Sequence, residues 1–381
     1  MVAGLWCPLY WRGARRCLDA LRADRQEPSG ATVMMWLMEG FSSQRGIIQG
    51  LREAIRHYGW QDAHGQPLSV IASHRQYRPE ITQCADIALR EPTDPVQRLE
   101  FIRETVAAYQ VRVIHTGKPG RWFEAHRQEI EATGVQLITG ATGPASQALA
   151  DDKAAFTEAL MAQGIPHTPA VRVENLEALR DTLQTLKASY PRLCIKPNTG
   201  IYGLGYWQLD DQAPASLMLE APDSRRIRTE TYLDALAQSG GLKQPMIVMP
   251  YLPGPECSID LVARRGQVQA ALGRRKDGPM QTLFEHGEEV ELACRVAALL
   301  QADGLINVQT RAGDDGRPRV LECNLRPSGG VAYGLQSGIN LPAIMMADRL
   351  GLTLPRQQLR HTTVRIVEEA IPVPASESHH A

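Results

Sequence analysis

The chain reads as an α/β unit with a parallel sheet, followed by a larger α+β unit with antiparallel pairing. Three observations predict this. Between Thr32 and Gly140, short apolar runs alternate with amphipathic helical runs, the signature of strands joined by crossover helices. Beyond Gly140 the apolar runs are joined by hairpin-type turns instead, which favours antiparallel pairing. The length of 381 residues, 43% hydrophobic and 22% charged, exceeds what a single core usually serves.

Taken in order, "TVMMWLM" from Thr32 is a strand, "SSQRGIIQGLREAIRHYG" a helix closed by Gly59, and "PLSVIAS" a strand. "DPVQRLEFIRETVAAYQ" is a helix with apolar residues near helical spacing, and leads to the strand "VRVIHTG". "EAHRQEIEATG" is a helix ending at Gly134, and "VQLITG" the next strand. Ligands of such sheets gather beyond the carboxyl ends of the strands, where Glu39, Gly40, Ser42, His115, Gly117 and Lys118 lie. In the second half, "DDKAAFTEALMAQGIP" is a helix with Asp151 and Asp152 at its positive end and Gly164 at its close. "PAVRV" and "RLCIKP" are strands flanking the helix "NLEALRDTLQTLKASY". "PMIVMPYL", "ECSIDLVARRGQVQAALGRRK" and "RPRVLECNLRP" are further strands. The expected division is an extension over 1–30, an α/β domain over 31–143, an α+β domain over 144–360, and a last strand and frayed tail over 361–381.

Bulk properties exclude several classes. A net charge of −1 and a pI near 6.8 give no electrostatic case for nucleic acid or an anionic membrane. The seven cysteines are scattered without a C-x-x-C pair, which reads as reduced thiols of a cytoplasmic protein. No apolar run reaches the roughly 18 residues of a membrane span. The basic, tryptophan-containing stretch before Pro28-Ser29-Gly30 has the wrong order for a signal peptide. It is expected to be dispensable, with Met34 or Met35 as an alternative start; a basic surface helix is the other reading.

Four constellations carry chemistry. "CIKPNTGIYGLGYW" places Lys196 on a strand before Gly200, Gly203 and Gly205, where backbone N–H groups can approach a phosphate because no Cβ intervenes. The glycine order does not match a dinucleotide fingerprint, and the lysine precedes the glycines, unlike a P-loop. A plain glycine-rich turn is the alternative. In "VMPYLPGPECSID" an apolar strand runs into a Pro-Gly-Pro bend and then Glu256. Such a linker can offer backbone groups to a purine edge and a carboxylate to ribose hydroxyls, or be a surface turn. In "GLINVQTRAGDDGRPRVLECNLRPSGG", Gln309 lies on one run and Glu322 and Asn324 on the next. Alternate strand residues share a face, and three oxygen donors on one face suit Mg²⁺. Arg326 continues that face with a guanidinium suited to phosphate oxygens, and Ser328-Gly329-Gly330 follows; a Glu322–Arg326 structural ion pair is the rival. Lys153 stands on the first turn of its helix.

The ordered set Lys153, Lys196 with its glycine flap, "PGPE", Gln309 and "LECNLRPSGG" resembles the ATP-grasp superfamily, from about Pro144 to Gly351. In motif it is most similar to the carbamoyl phosphate synthetase large-subunit type, here as a single stand-alone unit. The resemblance implies two lobes clamping ATP. Lys153 and Lys196 would contact its phosphates under the flap of Gly200, Gly203 and Gly205. Met249, Pro250 and Leu252 would form the adenine hinge, although Pro250 lacks an N–H, and Glu256 would bind the ribose. Gln309, Glu322 and Asn324 would hold Mg²⁺, with two ions expected and Mn²⁺ an alternative. Arg326 and Lys196 are the implied catalytic residues.

The implied activity is an ADP-forming carboxylate–amine ligase acting through an acyl phosphate. Its partners would be a small-molecule carboxylate and a nucleophile; a homodimer is compatible with it. A bicarbonate-using carboxylase and a nucleotide sensor without turnover are the alternatives. Arg274, Arg275 and Lys276 are candidates for an anion contact or ordinary surface charge, and Lys118, Arg121 and Tyr333 are candidates for reaching the cleft.

Overall fold

The computed structural model describes residues 33–373, except Pro119, Ile201, Tyr202 and Ala215. The proposed extension over 1–30 and the end of the tail lie outside the described residues.

Three sheets organise the chain. The first holds β1 (Val33–Leu37), β2 (Ser69–His74), β3 (Ile87–Arg90), β4 (Val113–His115) and β5 (Gln136–Ile138), in the order β3-β2-β1-β4-β5, all parallel. The crossovers include helix α1 (Ser43–Tyr58) and helix α2 (Pro95–Tyr109). Asp94 caps α2 by accepting from the Val96 and Gln97 N–H groups at 2.9 Å, and Pro95 sits where no N–H is needed. Then come β6 (Gly140–Ala141), helix α3 (Pro144–Asp151) and helix α4 (Lys153–Ala162). The expected single helix start at Asp151–Asp152 is a junction instead. Asp151 ends α3, while Asp152 caps α4 by accepting from the Ala155 N–H at 3.0 Å.

The second sheet, β10-β9-β8-β11-β7, combines β7 (Val171–Val173), β8 (Leu193–Pro197), β9 (Trp207–Leu209), β10 (Arg226–Ile227) and β11 (Met246–Pro250). Helix α5 (Leu176–Lys187) and helix α6 (Thr229–Gln238) belong to this lobe, where Leu179, Leu183 and Tyr232 pack with Ile195 and Val248. The third sheet runs β16-β15-β12-β13-β14-β17. Its members are β12 (Glu256–Arg264), β13 (Gln267–Asp277), β14 (Met280–Phe284), β15 (Ala302–Ala312), β16 (Pro318–Asn324) and β17 (Thr363–Arg365). All its pairings are antiparallel, and β6 adds to β15.

The third sheet is two-faced because its strands alternate. Ile259, Leu261 and Val308 bury against Val290, Val296 and Ala297 of helix α7 (Glu288–Leu299). Each such side chain contributes about 1.5–3 kcal/mol on burial. The other face carries Glu256, Ser258, Asp260, Asn307, Gln309, Glu322 and Asn324. Farther along it, Val262, Leu272 and Leu305 join Met35, Ile48 and Leu51 of the first unit and Met345 and Met346 of helix α8 (Leu341–Leu350). One apolar core thus fixes the parallel sheet beside the polar half of that face.

Candidate active site

The site begins with strand register. Gln309 on β15 lies directly opposite Glu322 on β16, and Asn324 lies two residues along, so all three donors share one face. Asn324 Nδ2 donates to Glu322 Oε1 at 3.3 Å, and Arg326 Nη2 donates to Asn324 Oδ1 at 3.2 Å. From the second sheet Lys196 reaches across the gap, its Nζ 3.4 Å from Glu322 Oε2. The carboxylate is therefore paired with a lysine of the opposite lobe. Burial alone would raise the Glu322 carboxyl; the charges of Lys196 and Lys153 and the Asn324 hydrogen bond override it and hold the group below its ordinary range.

Lys153, on the first turn of α4, donates to the carbonyls of Gly200 at 3.0 Å and Asn198 at 3.5 Å. Its ammonium is pushed below its ordinary range by burial and by the charge of Lys196, partly offset by Glu322. Asn198 is a residue the sequence analysis passed over, although it lies inside the quoted stretch. Its Oδ1 accepts from the Ala154 N–H at 3.0 Å, and its backbone carbonyl from the Lys153 N–H at 3.2 Å. It staples the start of α4 to the base of the flap. Gly200, Gly203 and Gly205 all take positive φ (139°, 61° and 74°), as a flap built on glycine requires. Arg225 Nη1 donates to the Gly203 carbonyl.

The residues expected to form a hinge, Met249, Pro250 and Leu252, lie at the end of β11 and just beyond it. Met249 pairs with Cys194 and Pro250 with Leu193, so Cys194, Lys196, Ile247 and Met249 point to one side. Cys194, Ile247 and Met249 form an apolar patch with Tyr206 and Leu321, a surface suited to a flat base. Tyr251 is gripped between the guanidinium groups of Arg192 at 4.7 Å and Arg311 at 5.2 Å from its ring, a brace invisible in sequence because Arg311 arrives from β15. The Leu252 N–H makes no hydrogen bond among the described residues. Glu256 stands at the start of β12, paired with Lys276 and with Arg311 at 3.8 Å. It sits beside the hinge, apart from the Glu322 cluster.

A cavity of about 490 Å³ adjoins the Glu322 cluster; Lys196, Gln309, Met249, Pro250, Leu252 and Glu256 are not among the residues lining it. Lys153, Gly200 and Glu322 to Arg326 form one wall; Phe41 and Lys118, from loops of the parallel sheet, and Arg121 and Trp122, from the short helix Gly120–Ala125, form the other. The Phe41 ring lies between two cations, Lys118 Nζ at 5.0 Å and Arg326 Cζ at 4.8 Å. Gly117 brings Lys118 there. A Cβ on it would stand 2.6 Å from the Glu39 carbonyl, and its φ is +65°, so the turn admits only glycine at low cost. Of the residues flagged at strand ends, Lys118 faces the cavity, whereas His115 and Glu39 are buried. Arg121 also lines the cavity, paired with Asp151 at 2.9 Å. Tyr333 is not among its lining residues and lies under Arg274, at 5.4 Å. Arg274 itself is neither surface charge nor an open anion contact. It is buried and donates to Asp260 at 3.0 Å, Gln281 at 2.9 Å and Ser328 at 2.8 Å, which makes it a brace for the Ser328-Gly329-Gly330 turn.

The donor set is compatible with a hard divalent ion. Gln309, Glu322 and Asn324 offer oxygen only, one of them charged, leaving part of a Mg²⁺ shell to phosphate and water. No group of three or more His, Cys, Asp or Glu side chains suited to a metal occurs among the described residues.

Comparison with known proteins agrees with this layout. Residues 243–370 match a family model described as ATP-grasp in the biosynthetic pathway with Ter operon. The carbamoyl phosphate synthase arginine-specific large chain of Geobacillus stearothermophilus is 26% identical over 272 residues, 67% of this chain. The chain spans only 24% of that relative's length. Among solved structures, an N5-carboxyaminoimidazole ribonucleotide synthetase in complex with ADP aligns with a TM-score of 0.60 at 18% identity, over 87% of this chain and 80% of that one. The L-amino acid ligase from Bacillus licheniformis aligns at 0.56 and 15%, over 84% and 74%. Biotin carboxylase from Campylobacter jejuni, solved with an ATP analogue, aligns at 0.58 and 15%, over 86% and 74%. At these identities the structural likeness establishes the fold.

Proposed function

We propose that this chain, which has the fold of ATP-grasp enzymes and matches an ATP-grasp family model over residues 243–370, is an ADP-forming ligase. It would activate a small carboxylic acid as an acyl phosphate for attack by an amine or similar nucleophile. The observation that carries this reading is the convergence of Lys153, Glu322, Asn324 and Arg326 on one cavity, with Lys196 of the second sheet paired to Glu322 at its wall.

The roles follow from placement. The patch of Cys194, Ile247 and Met249 would receive adenine, with the Leu252 N–H as a donor to its ring. Glu256, beside the hinge, would accept from the ribose; Pro250 can offer only its carbonyl. Lys153 and Lys196 would neutralise phosphate charge, and the flap of Gly200, Gly203 and Gly205 would exclude water. Gln309, Glu322 and Asn324 would hold Mg²⁺, which when bound supplies Lewis-acid polarisation of phosphate oxygens. Arg326 lines the cavity, and its fork would steady the transferring phosphoryl group as it meets the carboxylate in line. No nucleophilic side chain is needed.

Purified protein with Mg²⁺, ATP and pooled carboxylic acids should release ADP and phosphate. Hydroxylamine should trap the activated acid as a hydroxamate. AMP and pyrophosphate as the main products would refute the reading. ADP release with bicarbonate alone would shift it to the carboxylase branch, and tight ATP binding without turnover on any pool would favour a sensor.

A further inference from the structure

Resting on the ligase reading, we propose that the acid this protein activates carries a second anionic group, a carboxylate or a phosphate, held by Lys118 of the parallel-sheet unit. The argument is one of charge. The cavity is lined by Lys118, Arg121, Lys153 and Arg326 against the carboxylates of Asp151 and Glu322, with Lys196 paired to Glu322 from the second sheet. Arg121 is matched by Asp151 at 2.9 Å, and Lys196 by Glu322 until a metal ion claims that carboxylate.

Lys153 and Lys196 are required by a triphosphate, and Arg326 by the carboxylate being phosphorylated. Lys118 is left without a role in that chemistry. Its nearest carboxylate, Glu39, is buried and already engaged by Arg75 through the other oxygen. The 3.6 Å from Lys118 Nζ to Glu39 Oε1 is beyond hydrogen-bond distance. An ammonium with three donors is thus aimed into the cavity, steadied on the face of Phe41, with acceptors still to find. Arg326 flanks the same ring. One short molecule with an anion at each end can therefore engage both cations, with its backbone lying along the phenyl edge.

The test uses length-matched acids: butyrate, succinate and 3-phosphonopropionate. ADP release is measured for each, together with thermal stabilisation of the ATP-loaded protein. Succinate or 3-phosphonopropionate should exceed butyrate by at least about 10-fold in kcat/KM, the scale of one charge-assisted hydrogen bond. Which of the two leads tells a carboxylate from a phosphate. Lys118→Met should bring the ratio close to one, and Lys118→Arg should keep most of it. Equal use of butyrate, or a preference untouched by Lys118→Met, overturns the proposal while ADP release leaves the ligase reading standing. Stabilisation by the dianions that depends on Lys118, with no ADP formed from any acid, supports the anion site and refutes the ligase reading instead.

Discussion

Replacing Glu322 by Gln tests the centre of the site through two independent readouts. The amide keeps the side-chain volume and removes the charge. In the folded protein the carboxylate is only partly exposed, lies 3.4 Å from Lys196 Nζ, and feels Lys153 as well. Removing one partner of a fully buried pair costs about 3–5 kcal/mol. With side-chain exposures of 13% for Lys196 and 27% for Glu322, solvent screens part of that, and about 2 kcal/mol is expected. For a cooperative unit of this size that corresponds to a fall of roughly 4–8 °C in melting temperature, measured without nucleotide. Turnover should drop at least about 100-fold, because a charged oxygen is lost where phosphoryl charge must be balanced. The sign of the stability change discriminates between pictures. Crowded carboxylate ligands gain stability when one charge is removed, but here the only carboxylate of the donor set faces two lysines. A variant that melts higher than the parent, or one that retains turnover within a few-fold, refutes the geometry described.

Two further outcomes follow from other parts of the molecule. Burial, aided by the charge of Arg349, pushes His115 down from 6.5 to about 4; the unfolded chain then binds the proton first, so stability is full above pH 6.5 and is lost as the pH falls towards 4, by roughly 3 kcal/mol. Chemical-denaturant titrations across that window should show this slope, and it should flatten in His115→Gln. Gly205→Ala places a Cβ 3.0 Å from Pro197 Cγ at a φ of +74°, so the flap must distort: KM for ATP should rise about 10-fold for a cost of about 1–2 kcal/mol, while Arg326-side contacts, read as KM for the acid, change little.

Much of the fold was legible because strand and helix periods differ. The alternation from Thr32 to Gly140 yielded β1, β2, β4, β5 and the helices α1 and α2. The misses have identifiable causes. β3 is a four-residue edge strand, Ile87–Arg90, with three residues half-buried and the last exposed, so it lacks a clear apolar alternation. The helix α3 follows Gly143-Pro144, which looks like a loop although proline is at home on a first helical turn. Helices α6, α7 and α8 lay in stretches to which the sequence analysis assigned no element, and their apolar stripes acquire meaning only against the lobes they cover.

The candidate site divides along a different line. The half proposed to hold the nucleotide is written locally: lysine before glycines, donors spaced two apart on a strand, a capped helix bearing Lys153. Spacing of that kind survives without knowledge of the tertiary fold, because β16 alone puts Glu322 and Asn324 on one face. The half proposed to receive the acid has no such record. Phe41 and Lys118 are loop residues and Trp122 sits on a short helix, and they become a wall only because the core shared by α1, α8 and the third sheet presses the parallel sheet against β15. Arg274 shows the converse. Its sequence context, Arg274-Arg275-Lys276 at a strand end, suggests an open basic cluster, yet β12 supplies Asp260 beside it and the turn after β16 supplies Ser328, so the guanidinium is consumed in holding the scaffold. On the proposed reading, the contacts that would select the acid depend on long-range packing more than those that would hold the nucleotide, and Lys118 is where that packing bears most on the proposed substrate.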